Sequence, residues 1–169
     1  MVSQKKERYA INGILVFDKP EHISSNHALQ RIKHLFQAKK AGYVGTLDPF
    51  ATGMLPICFG TATKCVERLH EAPKNYRAHL RLGVATLTGD AEGAIMKKQA
   101  IPHFDENSLN KIFKKFTGEI MQIPPMYSAL KHQGQPLYKF ARMGQTIERK
   151  ARPAKIYQLT LVQNTVNEI

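Results

Sequence analysis

At 169 residues, 43% hydrophobic and 22% charged, the sequence can bury the core of one domain, and no apolar run approaches the roughly 20 residues of a membrane span. Two cysteines, Cys58 and Cys65, are too few for a disulfide framework or a four-thiolate zinc site, and none of the seven histidines forms a His-x-x-x-His pair. Lys plus Arg is 25 against 13 Asp plus Glu, a formal charge of +12 that points to a polyanionic partner, because each neutralised phosphate releases a counterion.

The amino terminus, MVSQKKERYA, carries charge but no apolar signal core, so 1–10 is expected to be a basic tail and the cytoplasm the compartment. INGILVFDKP (11–20) predicts a strand ending in an Asp-Lys-Pro turn. SSNHALQRIKHLFQA (24–38) predicts a serine-capped helix with Ala28, Leu29, Ile32, Leu35 and Phe36 as its apolar stripe. KKAGYVGTLDPFATG is expected to be a glycine-punctuated loop, MLPICFG a buried strand and TATKCVERLHE a short helix.

KNYRAHLRLGV (74–84) alternates Tyr76, Ala78, Leu80, Leu82 and Val84 with polar neighbours, which predicts a half-buried strand with a basic outer face. TLTGDAEG is turn-rich. FDENSLNKIFKKFTGEI (104–120) predicts an amphipathic helix capped by Asp105, striped by Leu109, Ile112, Phe113 and Phe116, and stopped at Gly118. QIPPMYSALKHQGQ is expected to be a proline-led loop or hairpin, PLYKFARMG a short helix and KIYQLTLVQN a strand. Strands and helices mixed without regular βαβ alternation predict an α+β fold. Ending just after a strand, the chain reads as the front part of something longer.

No G-x-G-x-x-G or G-x-x-x-x-G-K-[ST] loop occurs, so no nucleotide or other cofactor is implied, and FGTATK reads as a strand-to-helix turn. Asp48, in GTLDPFATG, has two readings. Asp before Pro is a common helix start, with Asp48 as cap and Pro49 at the first helical position. Alternatively, flanking glycines let a polyanion approach closely, and Lys39 and Lys40 lie upstream; a carboxylate among cations is kept charged, ready as nucleophile or base. Tyr76 is expected to face the core from its strand. Tyr43, between small residues and near lysines, suits stacking on an unpaired base or stands as a plain surface tyrosine.

The order INGILVFDKP…SS…GTLDPFATGMLPICFGTATK…KNYRAHLRLGVATLTGD…IPPMYSALKHQGQPLYKFARMG resembles the bacterial tRNA pseudouridine synthase B (TruB) family from about Ile11 to Lys155. The resemblance implies a pseudouridine synthase fold, a mixed, largely antiparallel sheet flanked by helices, with 11–169 a truncated catalytic domain and a carboxyl-terminal RNA-binding domain absent. It implies isomerisation of the T-loop uridine, position 55 of tRNA, without metal or other cofactor; the chain is expected to be a monomer. Asp48 falls on the family's essential aspartate and Tyr76 on the tyrosine that stacks on the flipped base. Lys19, Lys64 and Lys131 fall in blocks that line the RNA side. Tyr43 stands where the family usually has a histidine that displaces the flipped base. The family's later Lys-Gly-Thr-Tyr-Ile-Arg block, whose arginine pairs with the aspartate, has no match before Ile169. A catalytically incomplete RNA-binding fragment is therefore the alternative, and an RNA N-glycosylase a third reading.

Overall fold

The computed structural model describes residues 7–165 and 167–169, so of the basic tail only 7–10 can be placed. The chain divides into two compact units, the first running through Tyr76 and the second from Arg77 to Ile169.

In the first unit, the apolar run after Asn12 forms β1 (Gly13–Lys19), and the serine-led segment forms α1 (Ser25–Leu35). The Ser24 hydroxyl caps α1 by accepting from the His27 N–H at 3.1 Å. The expected loop contains a short strand, β2 (Ala41–Tyr43), before β3 (Gly53–Phe59), a 3-10 helix (Gly60–Cys65) and α2 (Val66–His70). The three strands form one antiparallel sheet in the order β1-β3-β2. Pro56 is tolerated in the central strand because its carbonyl accepts from Val44 N–H on the β2 side, where its missing N–H also points.

The core lies between α1 and one sheet face. Leu29, Ala38, Ile57 and Phe59 form it, with Leu15, Phe17 and Ile32 packed around. Leu35, assigned to the helix stripe by spacing, is 73% exposed instead. The last turn of α1 ends there, and only Phe36 reaches back, its ring tilted on Phe59 at 5.4 Å.

Gly60 turns the chain from β3 into the 3-10 helix at φ +54, beside Asn12, whose Oδ1 accepts from Thr61 N at 2.8 Å and Thr61 Oγ1 at 3.0 Å. A Cβ on Gly60 would run into Asn12 Oδ1 and the Ile11 carbonyl. Gly60→Ala therefore combines left-handed strain with a backbone clash and is expected to destabilise the first unit by roughly 2–4 kcal/mol. Amide exchange of β1 and β3 measures it; protection within about 0.5 kcal/mol of wild type would refute the clash.

Among the described residues the second unit holds three two-stranded antiparallel sheets. β4 (Val84–Thr86) and β5 (Ile95–Lys98) flank the turn-rich loop. Asp105 caps α3 (Glu106–Phe116) as expected, and hydrogen bonds from Ser108, side chain first, hold its carboxyl below the usual range. β6 (Gly118–Gln122) follows, then β7 (Lys131–His132) and β8 (Gln135–Pro136), α4 (Leu137–Arg142) and β9 (Arg152–Ile156). β9 pairs with β6 from Gly118↔Ile156 to Gln122↔Arg152. The strand expected at 155–164 thus lies mostly upstream, because β6 offers partners only as far as Ile156.

The strand predicted at 74–84 needs a larger correction. Among the described residues its backbone partners lie at 167–169 as far as Leu82, where Leu80 and Ile169 exchange both bonds, at 2.8 and 3.0 Å, and Leu82 N–H donates to Asn167 O; at its end Gly83 O accepts from Gln99 N–H at 2.9 Å. Only its end, Val84, joins a sheet. Alternation marks which side chains share a face, but a strand also needs a neighbour for its N–H and C=O groups. Tyr76, expected in the core, is 73% exposed. The α+β class holds, and among the described residues its strands form four small antiparallel sheets.

Candidate active site

The GTLDPFATG loop leaves β2 and returns in β3, and it is held by three residues from β1, α1 and the turn between them. Lys19, the last residue of β1, is fully buried. Its ammonium donates to the carbonyls of Pro20 and Ile23, each at 2.9 Å, and of Pro49 at 3.2 Å. His22 N–H donates to the same Pro49 carbonyl at 2.7 Å from a backbone with φ +65. For a non-glycine residue that left-handed conformation is uncommon. Ser25 Oγ, at the start of α1, donates to Leu47 O and accepts from Leu47 N–H, both at 2.9 Å.

Asp48 sits between these two tethered residues. Its carbonyl accepts from Ala51 N–H at 3.1 Å, closing a turn with Pro49 at its second position. No helix follows, so the helix-start reading fails: Asp48 caps nothing, and the chain enters β3 at Gly53. The carboxylate is exposed and, among the described residues, takes no hydrogen bond and no ion pair. Everything about this residue is fastened except the group that can do chemistry.

The other expected site residues are spread out. Tyr43, at the end of β2, is half-buried against the core of the first unit, not a free-standing surface ring, because its partner Ile57 lies at the centre of that core. Lys19, expected on the RNA side, is buried instead; with its three donors spent on carbonyls it holds the loop from beneath. Lys64 is exposed on the 3-10 helix, and Lys131 is exposed on β7 of the second unit. The Lys74 stem passes near Gly45, where an added Cβ would stand 3.9 Å from Lys74 Cε, and its ammonium donates to the His70 and Ala72 carbonyls.

By pattern alone the serines are caps, and His22 and Lys74 carry no local mark of a place beside this loop. The signal for Ser25 was the doublet itself: one serine suffices to cap a helix, so the second is free for other work. Cys58 offers no competing nucleophile, since burial, and after it Cys65, push its thiol up from the ordinary value. Among the described residues no cluster of three metal-ligating side chains occurs. Their ion pairs are only His22–Glu21 and His79–Glu168, which leaves every described lysine and arginine without a carboxylate within 4 Å.

Comparison with known proteins bears on this loop directly. Residues 33–169 match the family model described as TruB family pseudouridylate synthase (N terminal domain). The chain is 52% identical over 166 residues to tRNA pseudouridine synthase B of Francisella tularensis subsp. holarctica, covering 98% of this chain and 55% of that protein. The same-named protein of Francisella philomiragia is 54% identical over 160 residues, 94% of this chain and 53% of the relative. The chain thus spans about half the length of these curated relatives.

Among solved structures, a Cbf5-Nop10-Gar1 complex aligns with TM-score 0.58 at 22% identity over 98% of this chain and 44% of that one, a likeness of fold. An H/ACA RNP bound to a substrate RNA containing 2′-deoxyuridine aligns with TM-score 0.50 at 28% identity, over 73% of this chain and 35% of that one. The family match takes in the whole Asp48 loop, and the identity to full relatives extends over nearly all the chain: it belongs to the TruB family of pseudouridylate synthases, of which it represents an amino-terminal part.

Proposed function

We propose that this chain carries the catalytic aspartate of a tRNA pseudouridine synthase and acts, as a cytoplasmic monomer, on the T-loop uridine at position 55 of tRNA. The observation that carries the reading is Asp48: an exposed carboxylate, without a partner among the described residues, on a turn fastened on both sides, in a family of pseudouridylate synthases. In the reaction the bond from ribose C1′ to base N1 breaks, the base turns, and C1′ bonds to C5. C5 loses its proton and N1 gains one, so the product is an isomer and the balance needs no electron or group donor. Asp48 acts on the bound nucleoside, as nucleophile toward sugar or base or as base toward the C2′ proton.

One carboxylate suffices because the base is retained, whereas a hydrolytic glycosidase usually sets two around the bond it cuts. A loop uridine is already partly unstacked, so turning it out costs only a few kcal/mol. Tyr76, exposed, is the proposed stacking partner. Tyr43 supplies an apolar edge where the family usually has histidine. Lys64 and Lys131, with the other cations free of carboxylates, are the proposed contacts to phosphate.

The test is tritium release from a T-arm stem-loop with C5-tritiated uridine, using the 169-residue chain. Release to water without free uracil is the expected result. Free uracil would mean an N-glycosylase. Binding without release, with affinity falling steeply in salt, would make this chain an RNA-binding protein without isomerase activity.

A further inference from the structure

Ser24 alone satisfies the capping need of α1, yet the next residue is also a serine and is 1% exposed. Its hydroxyl spends its one hydrogen and a lone pair on the two backbone groups of a single residue, Leu47, 22 positions away. Leu47 C=O belongs to the planar peptide unit that also contains Asp48 N and Cα. Fixing that oxygen therefore fixes the plane from which Asp48 starts.

On the far side Pro49 has its φ set by the ring and restricts Asp48 to extended backbone. The Pro49 carbonyl is held by Lys19 and His22, and Asp48's own carbonyl by Ala51. With both peptide planes set, the carboxylate keeps only its side-chain torsions.

We propose that Ser25 is a positioning residue for Asp48: its buried hydroxyl locks the Leu47–Asp48 peptide plane and so aims the carboxylate at the bound nucleoside. This rests on the reading of Asp48 as the reacting group. Ser25 is enclosed and cannot touch RNA, so its loss acts on the chemical step and not on affinity. A carboxylate displaced by about 1 Å loses on the order of 100-fold in rate.

The experiment compares Ser25→Ala, Ser25→Thr and Ser24→Ala with the wild-type chain in single-turnover tritium release, stem-loop affinity and amide exchange at Leu47. Ser25→Ala is expected to slow release about 100-fold, keep affinity within about twofold and expose the Leu47 amide to exchange. Ser25→Thr, which keeps a hydroxyl, restores most of the rate. Ser24→Ala removes the cap at the same helix end and leaves the rate in place, which separates aiming from a general weakening of α1. An unchanged rate in Ser25→Ala, an equal loss in Ser24→Ala, or an affinity loss that accounts for the rate would each overturn the proposal. If wild type releases nothing, the isomerase reading of this chain fails, and Leu47 exchange decides the latch. Protection lost in Ser25→Ala but kept in Ser24→Ala upholds it, and protection unchanged in both overturns it.

Discussion

Asp48→Ala is expected to lower tritium release by about 10⁴-fold or more while the stem-loop stays bound, since removing a nucleophile or base leaves only what binding and positioning provide. The structure separates the two quantities. The Asp48 carboxylate makes no hydrogen bond or ion pair among the described residues, so its removal strands no donor and opens no cavity. Stability should therefore remain within about 0.5 kcal/mol of wild type. Affinity should hold or rise slightly, because a negative charge leaves a +12 chain that faces a polyanion. Asp48→Asn sharpens the test by keeping the side chain's size and removing only its charge. Release by either variant at more than about a tenth of the wild-type rate would mean that the loop holds RNA and the chemistry lies elsewhere. A variant that releases nothing because it no longer binds would remove the catalytic assignment just as surely.

Much of the first unit was legible because its signals are local. The apolar run of β1, the serine cap and the buried half of the α1 stripe follow from period and capping chemistry, and each lies where the spacing puts it. The candidate aspartate was legible from its loop, whereas the rival reading, the helix start, fails only because the turn at 48–51 runs straight into β3. What did not show in the sequence depends on neighbours. Residues 74–82 have a strand's alternation, yet among the described residues their backbone pairs only with 167–169, so Tyr76 stands out where the pattern buries it. Tyr43 looks free between small residues, yet two strands of pairing bring it to the core. The burial of Lys19 was likewise invisible, because a lysine in a turn gives no sign that three carbonyls converge on it.

That burial sets up a second large effect, in stability. Lys19→Met keeps the length of the side chain and removes the ammonium that satisfies the Pro20, Ile23 and Pro49 carbonyls. Pro49 still has the His22 N–H, but the other two acceptors lose a charged donor inside the protein. At about 1–3 kcal/mol for each stranded group, the variant should lose roughly 2–4 kcal/mol, offset in part because methionine avoids burying a charge. Arginine is no rescue, since a planar fork cannot replace a compact ammonium aimed at three converging carbonyls. Two units need not unfold together, so amide exchange in β1 and β3 reads the loss better than one melting curve. An RNA-contacting lysine would behave differently: stability would hold, affinity would fall for every RNA, and the salt slope would drop by about one. Lost protection in β1 and β3 with the salt slope unchanged would confirm that this lysine works from beneath the loop. The opposite pattern would return it to the RNA.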